Sequence, residues 1–167
     1  SPEDVIKTGI RKLEKLVQSS GYFKQKAKRL KEFAEFTLSF PSFDDFLQSV
    51  TREQLLQVNG IGRETADSIL LYACEKPMFV VDAYTRRILS RIGMIDEGVD
   101  YDDIRTYLEY QLGSPEDARR FSSLNEKEIT QLYNEFHALL VALGKNICTK
   151  SEPKCGECPI SDYCKHG

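Results

Sequence analysis

Apolar residues recur three and four positions apart along most of the chain, as in Ile10, Leu13, Leu16 and Val17 and again in Leu30, Phe33 and Ala34, with charged residues between them. Such positions share a face only on an α-helix, so the periodicity is helical. The start signals agree. Ser42 with Asp45, Thr51 with Gln54, Asp100 with Asp103 and Asn125 with Glu128 each set an N-cap three residues ahead of an acid or amide that can answer it. The pattern predicts helices near 3–18, 22–38, 43–49, 52–57, 62–75, 83–92, 101–111 and 125–144. MFVV at 78–81 is the best strand candidate and is too short to build a sheet, so the expected fold is all-α. GSPEDARRFSSLN at 113–125 reads as a loop that lets one helical group turn onto another. Beyond about Cys148 the helical pattern fades, and this tail needs something other than a large apolar face to hold it.

Composition narrows the picture. The 167 residues leave room for one domain or two small ones. No apolar run approaches the roughly 18 residues that a membrane span needs, and the N-terminus lacks a charged-then-apolar signal pattern, so a soluble intracellular protein with no membrane partner is expected. The formal charge is −3, with 23 Lys and Arg against 26 Asp and Glu. Any nucleic-acid binding must therefore use local basic patches.

Four of the five cysteines crowd into the last twenty residues, spaced C-x6-C-x2-C-x5-C as Cys148, Cys155, Cys158 and Cys164. Without a secretory signal this favours metal over disulfides. Four thiolates on a short tether close around zinc or an iron–sulfur cluster, and chelation would organise a tail too short to fold by burial. The absence of paired C-x2-C knuckles argues against a zinc ribbon. Cys74, on an apolar helix, reads as a plain buried cysteine.

A second motif is VNGIGRETAD at 58–67, a Gly-x-Gly turn that runs into a helix. Gly60 and Gly62 permit a tight turn whose backbone amides can approach an anion, although an ordinary turn between helices would look the same. A third is FVVDAYTRRIL at 79–89, where Asp82 is placed to cap the helix that follows.

Together the three motifs, in this order and spacing, resemble the endonuclease III branch of the helix-hairpin-helix (HhH-GPD) DNA glycosylases over nearly the whole chain. The resemblance implies a helical domain over 1–82, with the helix-hairpin-helix at about 52–75, and a second helical domain over 83–167 that carries a [4Fe–4S] cluster on Cys148, Cys155, Cys158 and Cys164 within the loop 148–164. It implies double-stranded DNA with a damaged base as partner, a monomer, and a cytoplasmic, nucleoid-associated place in a prokaryotic-type cell. The family's early helices have no counterpart before Ser1, and part of the base pocket goes with them.

Read residue by residue, the resemblance makes Gly60, Gly62, Arg63 and Thr65 phosphate contacts, and makes the carbonyls of Leu56, Val58 and Ile61 a monovalent-cation site. Asp82 becomes the carboxylate at the mouth of a cleft, facing C1′ of a flipped-out nucleotide, where it stabilises the positive charge that builds as the base leaves or orients the attacking water. Gly21, Tyr22 and Phe23 resemble the loop that fills the gap in the duplex, with Tyr22 the wedge. Lys24, Lys26, Lys28, Arg29 and Lys31 could neutralise phosphates or simply form a solvated helix face, and Lys150 with Lys154 is a second candidate patch.

Glu64 departs from the pattern. Bifunctional members carry a lysine there, whose amine forms a Schiff base and leads to strand cleavage; glutamate cannot form an imine. Its plain reading is a first-turn acid favoured by the helix dipole. The expectation is a monofunctional base excision glycosylase without AP lyase activity. SGYFKQKAKRL, GIGRETADSIL and VVDAYTRRI look closest to the bacterial endonuclease III-like 3-methyladenine glycosylases, which points to an alkylated purine held by cation–π stacking. Tyr72, Tyr84, Tyr133 and Phe136 are the candidate pocket aromatics. Excision of oxidised pyrimidines or mismatched bases, and a non-catalytic iron–sulfur protein that binds damaged DNA, are the alternatives.

Overall fold

A computed structural model describes residues 1–113 and 124–166. The expected loop at 113–125 lies almost wholly outside the described residues. Among those described the chain is helical, with no strand. None of its helices is long and apolar enough to cross a membrane. The helices are α1 (Pro2–Lys7), α2 (Ile10–Leu16), α3 (Phe23–Thr37), α4 (Phe43–Ser49), α5 (Arg52–Leu56), α6 (Arg63–Ser68), α7 (Ala83–Arg91), α8 (Tyr101–Leu112) and α9 (Glu126–Asn146).

Most of the expected elements are present, and the differences have local causes. The helix expected over 3–18 breaks after Lys7, and Gly9 serves as N-cap of α2. Glycine is a poor helix interior residue and a tolerable cap, so the chain restarts there. The helix expected over 62–75 turns into a single π-helical stretch, Ile69–Ala73, after α6. The capping boxes of Thr51 with Gln54 and Asn125 with Glu128 are formed, as is the Ser42 cap. Asp100 instead caps by accepting from the Asp102 N–H, one position earlier than the expected partner.

The chain forms two compact units, Ser1–Ala66 and Asp67–Gly167. The boundary expected after Asp82 falls inside the second unit, because Leu71, Phe79, Val80 and Val81 are buried in that unit's core with Ile88, Leu89 and Ile104. The core of the first unit centres on Phe46, which meets Phe33, Phe36 and Phe40 edge to face and stacks on Phe43. Such pairs add to the area each ring buries. Around them α3 packs on α1 and α2.

In the second unit α9 packs against α7. A Cβ on Gly144 would lie 2.7 Å from the Tyr84 ring, so the close approach of the two helices requires glycine there. Phe79–Val81 is buried without a sheet to satisfy its backbone. Side chains do so instead. The Phe79 N–H donates to Glu109 Oε1 at 2.9 Å and the Val81 N–H to the Tyr101 hydroxyl at 3.3 Å. Glu109 also accepts from Arg105 Nη1 at 2.7 Å. Burial pushes the Glu109 carboxyl above its ordinary range, while the bonds from Phe79 and Arg105 pull the other way. Glu109→Ala leaves the Phe79 N–H without its acceptor and takes from Arg105 one of its two carboxylate partners, and is expected to cost about 3 kcal/mol, with Glu109→Gln costing less because it keeps an acceptor. Denaturant melts of the two variants check this.

Candidate functional site

Asp82 sits where the clamped stretch 78–81 enters α7. It is the N-cap of that helix, and its Oδ1 accepts the Thr85 N–H at 2.7 Å. This is a strong cap, because a carboxylate meets both an orphan amide and the positive end of the helix. The second oxygen, Oδ2, lies 3.5 Å from Nε2 of His137, on α9. That is an ion-pair distance, longer than a formed hydrogen bond. Nε2 is buried and has no hydrogen-bond partner.

The other ring nitrogen, Nδ1, meets the hydroxyl of Tyr72, which the π-helical stretch carries. The Phe79 ring closes edge-on over the imidazole. Burial raises the Asp82 pKa, but the nearby His137 ring nitrogen and the hydrogen bonds from Thr85 outweigh it, leaving the carboxyl below its ordinary range. Burial and the neighbouring Asp82 charge push Tyr72 the other way, upward, so its hydroxyl stays protonated.

Of the four candidate pocket aromatics, Tyr72 stands beside Asp82. Tyr133 is a core residue, fully buried with its hydroxyl donating to the Gly113 carbonyl at 2.8 Å. Phe136 packs against the core. Tyr84 lies under Arg87, whose guanidinium is 5.2 Å from the ring centroid. His137 carried no local sequence signal, since it lies far along the chain from Asp82 on an apolar helix face.

The far end of α7 grips the cysteine tail. Arg87 donates to the carbonyls of Gly144 at 2.7 Å and Cys148 at 2.9 Å. One turn later, Arg91 donates to Cys148 Sγ at 3.2 Å, to the Thr149 carbonyl at 2.7 Å and to the Lys150 carbonyl at 3.0 Å. The pair stand four residues apart, on one helix face. Their spacing in AYTRRILSR is the sequence signal for this grip.

Cys148, Cys155, Cys158 and Cys164 line a single cavity, with Arg91 and Ile147 also in its wall. None of them forms a disulfide. Among the described residues, no three His, Cys, Asp or Glu side chains converge tightly enough for a single metal ion. Four soft thiols spread around one cavity suit a polynuclear iron–sulfur cluster better than a tetrahedral zinc ion. No described residue after Gly144 is buried, so the tail has no core of its own to fold on. Lys154 lines this cavity, whereas Lys150 lines a neighbouring groove with Arg86, Arg87 and Lys165. Cys74 is half-buried rather than fully buried, because it ends the π-helical stretch.

In the first unit, α5, the turn after it and the start of α6 form the hairpin. The Ile61 N–H donates to the Val58 carbonyl at 3.0 Å and the Ala66 N–H to the Gly62 carbonyl at 2.9 Å. Leu56, Val58 and Ile61 thus all lie at the turn, with the Val58 carbonyl already accepting one bond. Gly60 has φ +84 and lies directly under the Arg29 side chain, so no residue with a Cβ fits there without strain and displacement. Gly62, Arg63, Glu64 and Thr65 are all exposed.

Tyr22 is 85% exposed and holds a left-handed φ of 47 as N-cap of α3. Such a conformation is costly for a bulky residue and is typical of functional turns. Lys26, expected to contact DNA, donates to the Ser20 carbonyl and so ties this turn to α3.

These features define a helix-hairpin-helix protein with a cysteine-ligated cluster domain, and the comparisons agree. The chain belongs to the HhH-GPD superfamily of base excision DNA repair proteins, whose profile matches residues 1–112. Residues 148–164 match the iron–sulfur binding domain of endonuclease III, and the cofactor is a [4Fe–4S] cluster.

A candidate DNA repair glycosylase of Methanocaldococcus jannaschii is 38% identical over 159 residues, covering 92% of this chain and 66% of that protein. A crystal structure of an H. pylori 3-methyladenine DNA glycosylase bound to 1,N6-ethenoadenine is 37% identical, with a TM-score of 0.75 over 86% of this chain and 66% of the other. An endonuclease III–DNA complex shares the fold at 20% identity, with a TM-score of 0.74 over 99% of this chain and 69% of that one. The chain spans about two thirds of the length of these relatives.

Because the tail has no core, losing a thiol should release it. Cys148→Ser is expected to lose cluster absorbance and to open Lys150 and Lys154 to rapid tryptic cleavage, while α7 to α9 persist. Limited proteolysis with mass spectrometry checks this, and an unchanged cleavage pattern would contradict it.

Proposed function

We propose that this chain is the cluster-bearing part of a monofunctional DNA N-glycosylase that flips a damaged base out of duplex DNA and hydrolyses its bond to the sugar. The observation that carries the reading is Asp82, a half-buried carboxylate fixed at the N-terminus of α7 and kept ionised below its ordinary range. As the C1′–N bond breaks, its electron pair leaves with the base and positive charge builds on the sugar. A fixed anion stabilises that charge. Water then bonds to C1′, and its proton passes to the carboxylate.

The substrate class we infer is an alkylated purine such as 3-methyladenine. Such a base is already cationic and becomes neutral as it leaves, so it requires little acid catalysis. Tyr72 beside Asp82 is an aromatic face suited to a cationic ring. The similarity to an enzyme named for 3-methyladenine supports the same class.

In this reading the Gly60–Gly62 turn, with Arg63 and Thr65, holds a DNA phosphate, and the carbonyls of Leu56, Val58 and Ile61 hold a monovalent cation shared with it. Tyr22 enters the gap left by the flipped base, which its exposure and strained turn support. Cys148, Cys155, Cys158 and Cys164 hold the cluster, which serves to order the tail. Glu64, exposed in the first turn of α6, has no amine with which to attack C1′. The product is then an abasic site in an uncut strand.

Full-length protein incubated with duplexes that each bear one lesion is expected to release alkylated purines. Asp82→Asn should slow release by about 10²- to 10³-fold. Borohydride should trap no covalent complex. Unchanged activity in Asp82→Asn would overturn the mechanism, and efficient trapping would overturn the reading of Glu64. Preferred release of an oxidised pyrimidine or a mismatched base would change the substrate class. Tight binding to an abasic analogue with no turnover on any lesion would make the protein a damage binder.

A further inference from the structure

The side-chain chain Tyr72–His137–Asp82 goes beyond what capping α7 requires. Thr85 alone satisfies the cap through Oδ1, yet a buried imidazole is aimed at the remaining oxygen. His137 is 7% exposed, and a neutral imidazole carries one N–H donor and one acceptor nitrogen. The Tyr72 hydroxyl can serve Nδ1 as donor only while it keeps its proton, which its surroundings favour. A hydrogen on Nε2 faces the Asp82 carboxylate, whereas a lone pair there would meet an anion, so the favoured arrangement has Nε2–H toward Asp82 and the Tyr72 hydroxyl donating to Nδ1. The π-helical stretch Ile69–Ala73 swings Tyr72 into this position, and π-bulges are enriched at functional sites.

We propose that His137 is a positioning residue for Asp82: with Nδ1 held by Tyr72, it presents Nε2–H to Oδ2 and keeps the carboxylate ionised and aimed in a site whose burial favours the neutral acid. This rests on the reading of Asp82 as the reactive carboxylate and adds the group that holds it ready. The ionisable groups facing the imidazole are Asp82 at the start of α7 and Tyr72 from the π-helical stretch. Phe79 offers only a ring edge. On α9 itself, the Tyr133 hydroxyl is turned to the Gly113 carbonyl. An Nε2–H facing Oδ2 favours the charged carboxylate, so Asp82 remains an anion further into acid than burial alone would allow.

The test combines a pH profile with a spectroscopic readout on the full-length protein with its cluster. The acid limb of single-turnover base release against pH is expected to move up by about one unit in His137→Leu. In Tyr72→Phe it should move the same way by less, and His137→Gln, which keeps an N–H donor, should return it toward wild type. A uniform drop at every pH with no movement of the limb would mean His137 only packs, and would overturn the proposal.

The chain has two histidines, His137 and His166, so 15N spectra of labelled imidazoles assign readily. The Nε2–H tautomer is expected for His137. An Nδ1–H tautomer would overturn the proposal. If wild-type protein released no base, or Asp82→Asn kept full activity, the glycosylase reading would fail, while the tautomer would still decide whether His137 holds Asp82.

Discussion

The Asp82 carboxylate is pinned by the orphan amides at the start of α7. One oxygen takes the Thr85 N–H, and the helix terminus favours its negative charge. Everything that delivers Asp82 to that place is then constrained. The stretch before it is apolar and buried, so its backbone must find partners without a sheet, and Glu109 and Tyr101 of α8 supply them. The helix after it is short, and its last turns carry Arg87 and Arg91 into the carbonyls and sulfur of the cysteine tail. A single nine-residue helix thus has the carboxylate at one end and the cluster loop at the other.

This arrangement gives the cluster a structural part that needs no redox chemistry. The tail from 145 to 166 buries no residue fully; Arg87 and Arg91 hold its carbonyls, Cys148 and Ile160 pack partly buried against the second unit's core, and a cluster on the four thiols would supply further order. The same arginines fill carbonyls near the C-terminus of α9, the helix that carries His137. Loss of the cluster would therefore loosen helix-end partners on both α7 and α9, the two elements that frame Asp82.

Much of this was legible in the sequence where one local rule decides the outcome. Helical periodicity and N-cap residues marked most helices, and Asp82 could be seen as a cap because the residues after it are helical and apolar at the right spacing. The crowding of Cys148, Cys155, Cys158 and Cys164 marked the tail as a metal domain. What stayed hidden depends on residues distant in sequence. His137 looked like one polar letter on an apolar face, and its relation to Asp82 exists only because Gly144 lets α9 come close to α7. The break at Gly9 and the π-helical stretch at 69–73 were hidden because helical periodicity continues across both. Tyr133 looked as available for a pocket as Tyr72, and only packing separates a core ring from one beside the site.

The central claim is that a fixed anion at position 82 faces positive charge on the sugar, whichever base is removed. It is tested most directly by the affinity of the full-length protein for two duplexes, one with a cationic amine in place of the sugar at an abasic position and one with a neutral analogue of the same shape. An enzyme binds a mimic of its transition state more tightly than the ground state. The account predicts that wild-type protein prefers the cationic duplex by about tenfold or more, roughly 1.4 kcal/mol, and that Asp82→Asn loses this preference while binding the neutral duplex as before. An equal preference in wild type and Asp82→Asn would contradict it.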